Sequence, residues 1–181
     1  MTITPAWTIY ESPLGALTVV GSRRGIRSIY FPGRSPRLDE SARAPLTDTV
    51  KQLEQYFAGE RKDFELSLDL NGTPFQLLVW ERLRQIPYGS TISYGELAGQ
   101  VESSAYPDDL EPYQRVRLAA ATVGRTPTPI VVPCHRVIGA DGSLTGYGGG
   151  LPRKRTLLDL ERRVTGLPVK PDRDLEQLAL L

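Results

Sequence analysis

The chain's only cysteine, Cys134, stands directly before its only histidine, His135. A thiol is a weak nucleophile until it is deprotonated, and free cysteine titrates at about 8.5. A neighbouring base, or a cation that favours the thiolate, changes that. The pair is therefore a candidate nucleophile with a candidate base. Adjacency is not contact, because successive side chains on extended backbone point to opposite faces. A lone cysteine is also among the most commonly buried residues and packs as a small hydrophobe. A lone histidine can equally be a hydrogen-bonded core residue. The two residues alone leave a peptidase, a thiotransferase and an alkyl acceptor open.

The surrounding elements must position the pair. Ile130-Val131-Val132 reads as a short buried strand that delivers Cys134 to its end, and a glycine-rich loop follows from Gly139 to Gly150. A helix is expected over Pro152–Arg163, with Leu157, Leu160 and Val164 on one face. Upstream, Thr73 caps and Pro74 opens a helix with Phe75, Val79, Leu83 and Ile86 at helical spacing. Ser93 and Glu96 form a capping box for a short helix to about Ala98. Pro112 opens another that runs to about Gly124. Two short helices in tandem, the second carrying Arg115 and Arg117, fit a helix-turn-helix.

Residues 7–31 read as an antiparallel meander of short β-rich runs broken at Ser12-Pro13-Leu14-Gly15 and Gly21–Gly25. Residues 32–46 read as a loop. Thr47 is expected to cap a helix to Ala58 with Val50, Leu53 and Phe57 on one face, and Phe64–Leu68 alternates like a further strand. The fold class is α+β. A small N-terminal antiparallel sheet domain with a helix spans 1–70. A mainly helical domain with a helix-turn-helix and a short active-site strand spans 71–165. A tail spans 166–181.

A chain of 181 residues has enough length to bury a core, and 40% apolar content supports folding. A single cysteine excludes an internal disulfide and suits a reducing compartment. One cysteine and one histidine do not supply the four or so ligands of a structural zinc site, so no metal is expected. Neither a signal peptide nor an apolar run of about 20 residues is evident, so a soluble cytoplasmic protein with no membrane partner is expected. Net charge is +1, yet Arg115–Arg163 holds nine basic residues against three acidic ones. Such a segment is either a phosphate-facing surface or a solvated face.

The stretch Ile130-Val131-Val132-Pro133-Cys134-His135-Arg136-Val137-Ile138-Gly139 closely resembles the active-site signature of the O6-alkylguanine-DNA alkyltransferases. Gly72–Gln76, Ile86–Gly89, Ser93–Ala98, Gly146–Leu151 and Lys154–Glu161 match further blocks of that family in order, and Ser12–Phe31 resembles its N-terminal domain more loosely. The resemblance implies direct, irreversible transfer of an alkyl group from O6-alkylguanine in duplex DNA to Cys134, after the base is flipped out. O4-alkylthymine is a possible second substrate. The protein would be a monomer without a cofactor, and each molecule would act once.

The same resemblance implies roles for individual residues. Cys134 attacks, His135 acts through water as its base, Glu161 orients the histidine, and Tyr94 gives a proton toward guanine N3. The main chain of Val137 reads the guanine amino group, the N–H groups of Cys134 and Gly148 face O6, and Tyr147 lines the pocket. Arg117 fills the space left by the flipped nucleotide. Ala119, Ala120 and Ala121 give the second helix a small-residue surface for the minor groove, with Arg115, Arg125 and Arg136 as further DNA contacts.

Three positions depart from the family. Thr126 replaces the usual Asn, which helps link the DNA-binding helix to the active site. Gly148 replaces a Ser found in some members. The loop 101–111 is longer and carries Glu102, Asp108, Asp109 and Glu111, which would repel a phosphate backbone placed against it. The alternatives are an alkyltransferase-like protein that binds lesions without transfer, a cysteine hydrolase, and a helix-turn-helix regulator. Members of the first kind commonly carry Trp at the nucleophile position, and Cys134 argues against it.

Overall fold

A computed structural model describes residues 5–167; most of the 166–181 tail lies outside that range. Strands β1 (Ala6–Ser12), β2 (Gly15–Ser22) and β3 (Gly25–Tyr30) form the expected antiparallel meander, in the order β1-β2-β3. Trp7 pairs with Val20 and Val19 with Ile29.

Helix α1 (Thr47–Phe57) packs beside the sheet. Its cap is Leu46, with no side-chain bond, rather than Thr47. Its buried face is Thr49, Gln52, Leu53 and Tyr56, one position away from the expected stripe, so Tyr56 and not Phe57 points to the centre. That turn also explains why the strand expected over 64–68 does not form. The Gln52 side chain bonds both the N–H and the carbonyl of Glu65, so this backbone is satisfied by a side chain instead of a ladder. Only a single parallel bridge, Ile26 to Leu68, remains. Gly25, at φ 142°, permits this approach, since a Cβ there would collide with the Ser67 carbonyl.

The second half is helical. Helix α2 (Pro74–Arg84) starts at the expected cap, Thr73, and the Gln76 side chain completes a capping box there. Helix α3 (Tyr94–Gln100) starts at the Ser93–Glu96 box. Helix α4 (Pro112–Val123) packs on both, and the Trp80 indole donates to the Thr122 carbonyl at 3.2 Å. Two two-residue strands, β4 (Ile92–Ser93) and β5 (Val137–Ile138), pair in parallel. Helix α5 (Leu151–Thr165) ends at Gly166 in the left-handed conformation.

Ile130–Val132 is buried as expected but is not a strand. Ile130 has φ 78° and the Val132 N–H bonds the Thr128 carbonyl, so the segment is a tight turn. A 3₁₀ turn, Cys134–Arg136, follows directly, and the short strand at the site is β5, after the cysteine.

Two apolar clusters form the interior. One joins the sheet and α1 to Ile130, Val131 and Leu157. The other gathers α2, α3 and α4 around Val132, Cys134 and Val137. Residues 130–137 belong to both, which places Cys134 at their seam. Each fully buried Leu there stabilises the fold by about 1.5–3 kcal/mol.

Candidate active site

The 3₁₀ turn sends Cys134 and His135 in different directions. Cys134 is 5% exposed and His135 is fully buried. The Nε2 of His135 lies 2.8 Å from Oε1 of Glu161 on α5. The same carboxylate accepts from the Tyr56 hydroxyl at 2.8 Å, from Arg136 on both oxygens at 2.9 Å, and from the Gly89 N–H at 2.9 Å. Arg136 completes its contacts on the Ile86 carbonyl and over the Tyr88 ring.

The protonation states follow. Burial pushes the Glu161 carboxyl up, but His135 and Arg136 outweigh it and hold it far below the usual carboxylate range. An ionised carboxylate only accepts, so Nε2 of His135 carries the proton and Nδ1 the lone pair. Nδ1 is buried with no hydrogen-bond partner among the described residues. Burial lowers the His135 pKa, against the pull of Glu161, so the imidazole is a neutral base. Burial pushes the Cys134 thiol up to about 11; the Thr126 hydroxyl and then Lys154 oppose this. The resting sulfur is a thiol, and the nucleophile has to be made by removing its proton.

A second set of bonds holds the glycine-rich loop. The Tyr94 hydroxyl donates to the carbonyls of Thr145 and Gly146 at 3.1 and 3.2 Å. Lys154 is fully buried, and its Nζ donates to the carbonyls of Val137 at 2.6 Å and Thr145 at 2.8 Å. Burial lowers its pKa to about 8. Lys154 was not among the residues expected from sequence. Its signal was spacing: it stands seven residues before Glu161, two helical turns along the same face. Tyr56 was missed because its only marker is the buried stripe of α1, which sequence placed one position away.

Cys134 opens onto a cleft of about 150 Å³. Thr126, Tyr147 and Gly148 line it from the second half of the chain, and Tyr30 and Phe31 from the sheet. Gly149 must lack a side chain, because a Cβ would meet Phe31 and Tyr147 within 2.8 Å. The N–H of Cys134 donates to the Val132 carbonyl at 2.8 Å, so it is already engaged and not free to face O6. Thr126 donates its hydroxyl to the Val123 carbonyl.

Three of the nine basic residues of the 115–163 segment, Arg136, Lys154 and Arg162, are buried, which corrects several expectations. Arg136 is 5% exposed and committed to Glu161, so it presents nothing to a phosphate. Arg115 is spent on the long loop: it bonds the Leu110 carbonyl and the Ser103 hydroxyl and lies over the Tyr106 ring. Arg162 is also buried. Ala119 is 0% exposed and packs inward. The outer face of α4 carries Tyr113, Arg117 and Ala121, and continues to Gly124 on the cleft wall and to the exposed Arg125. Among the described residues no group of three or more His, Cys, Asp or Glu is placed to hold a metal ion, and no helix is long and apolar enough to cross a membrane.

Comparison with known proteins agrees with this geometry. Residues 74–163 match the 6-O-methylguanine DNA methyltransferase DNA-binding domain, and residues 6–70 match the ribonuclease-like domain of the same enzymes. The methylated-DNA–protein-cysteine methyltransferase of Mycolicibacterium paratuberculosis is 46% identical over 159 residues, covering 84% of this chain and 90% of that one. The inducible enzyme of Bacillus subtilis is 40% identical over 167 residues, covering 88% and 87%. The crystal structure of Mycobacterium tuberculosis OGT in complex with DNA superposes with a TM-score of 0.75 at 40% identity, covering 88% and 94%. With both halves matched and relatives this similar over most of their length, the chain belongs to the 6-O-methylguanine-DNA methyltransferase family.

Proposed function

We propose that this protein repairs DNA by moving the alkyl group of O6-alkylguanine onto Cys134. The observation that carries this reading is His135, held by Glu161 through Nε2 with its Nδ1 lone pair unpartnered, on the same turn as a thiol that opens on a cleft. The thiol gives its proton to His135, through a bridging water. The sulfur forms a bond to the alkyl carbon as the carbon–O6 bond breaks, and the electron pair goes to the guanine. Tyr94 protonates N3 and recovers its proton from the His135 imidazolium by way of solvent, so the net result is one proton moved from the thiol to the guanine, and no cofactor is consumed. The thioether has no easy leaving group, and each molecule reacts once.

The target carbon is inaccessible inside a stacked duplex, so the nucleotide has to leave the helix. Arg117, on the outer face of α4, fills the gap, with Ala120, Ala121 and Arg125 against the DNA. Minor-groove readout is degenerate, which suits a scanner of lesions in any sequence. In this reading residues 1–70 form a supporting domain and 71–165 the DNA-binding acceptor domain, with Val137, Tyr147 and Gly148 around the base. A DNA substrate and a free thiol both suit the reducing cytoplasm.

The test is intact mass and peptide mapping after incubation with a duplex carrying one O6-methylguanine. A single methylene gained on Cys134 in one-to-one yield, and lost in Cys134→Ser, is the expected result. Unmodified protein still bound to the lesion duplex would point instead to a lesion-binding protein without transfer.

A further inference from the structure

Helix α1 belongs to the half of the chain that carries none of the residues assigned to the chemistry, yet Tyr56 reaches into it. Its ring is fully buried, packed against Phe57, Phe64 and Tyr88. Its hydroxyl donates at 2.8 Å to Oε1 of Glu161, the same oxygen that lies 2.8 Å from His135. A phenol at that oxygen takes up part of the carboxylate's charge, which then draws less strongly on the imidazole. We propose that Tyr56 is a positioning residue for alkyl transfer: through Glu161 it fixes the orientation and basicity of His135, so that the N-terminal half tunes the reaction without touching DNA. This rests on the reading of Glu161 and His135 as the base and its support.

The other groups facing His135 are accounted for. Glu161 and Lys154 act on it from α5 and Arg136 from its own turn. Tyr56 acts through Glu161, and burial with the nearby carboxylate keeps its hydroxyl protonated well above the ordinary tyrosine range. It is therefore a permanent donor. Tyr88 stands in the same aromatic group, but its buried hydroxyl has no partner among the described residues.

Because the chain has one histidine, the ¹⁵N signals of histidine-labelled protein report His135 alone, giving its tautomer and its titration midpoint. Tyr56→Phe keeps the ring and removes the donor. The expected result is an upward shift of the His135 midpoint by about one unit, with the acid limb of the transfer rate moving by the same amount. A 3-fluorotyrosine at position 56, a stronger donor of the same shape, shifts both downward and keeps the test open should the phenylalanine variant fold poorly. Tyr88→Phe, the matched loss of a buried hydroxyl, leaves the midpoint in place. A Tyr56→Phe protein that melts at lower temperature while both midpoints stay put would reduce Tyr56 to packing and overturn the proposal. Glu161→Gln separates the two levels: full transfer activity in that variant would overturn the underlying reading, whatever Tyr56 does.

Discussion

Nε2 of His135 lies 2.8 Å from Oε1 of Glu161, and both side chains are fully buried. This contact fixes the tautomer and leaves Nδ1 as the base. Glu161→Gln replaces a carboxylate that accepts from His135, Tyr56, Gly89 and Arg136 with a neutral amide that can donate to His135 and reverse its tautomer. It also strands Arg136 as a buried cation. The expected loss is about 3–5 kcal/mol of stability and at least about 100-fold in single-turnover transfer rate. Urea unfolding and quench-flow kinetics measure the two. A rate within twofold of the parent would show that the carboxylate serves the fold alone.

The same burial makes stability depend on pH. The folded-state pKa of His135 is lowered from 6.5, chiefly by burial. The unfolded chain therefore binds a proton at a higher pH than the native one. The stabilisation is present in full above about pH 6.5 and is lost as pH falls from there through the lowered folded value. Glu161, also depressed, adds a loss of the same sign at much lower pH. With one histidine in the chain, this window belongs to His135. Melting temperatures between pH 7.5 and 5 should fall, and His135→Asn should flatten the slope. An equal slope in that variant would assign the effect to other groups.

The sequence made the chemical residues legible and the packing only partly so. The cap at Thr73 and the capping box at Ser93 were readable because each is a local pattern with a local cause. The meander was readable from its turns. Ile130–Val132 was misread because a buried apolar run has no period that separates a strand from a turn, and the left-handed Ile130 is imposed by its neighbours. Residues 64–68 were misread because the bonds that satisfy Glu65 come from Gln52, thirteen positions away. Charge was the poorest guide. Arg136 and Lys154 count toward a basic surface in the sequence, yet both are buried on internal acceptors, a fact that only the tertiary fold contains.

Cys134 should be unreactive until the site is engaged. Its pKa of about 11, against about 8.5 for a free thiol, leaves on the order of 300-fold less thiolate at neutral pH, and at 5% exposure little of it meets solvent. Alkylation by iodoacetamide should be at least about 100-fold slower than for a free thiol, rise with pH through 9, and become ordinary in denaturant. A native protein that reacts as fast as glutathione would mean that the thiolate is preformed.

The alanines of α4 should separate by face. Ala119 is 0% exposed and packs under the helix, whereas Ala121 faces outward with Arg117 one turn before it. Ala119→Leu overfills a packed interior and should cost about 1–3 kcal/mol of stability. Ala121→Leu meets no core and should leave the melting temperature within a degree or two. On the face proposed to enter the minor groove, however, it adds bulk where close approach is needed, so affinity for undamaged duplex should fall about tenfold, as read by fluorescence anisotropy. The two substitutions thus test orientation with opposite readouts. A stable Ala119→Leu protein with weakened DNA binding, beside an Ala121→Leu protein that binds normally, would turn the helix over and put the DNA on its other side.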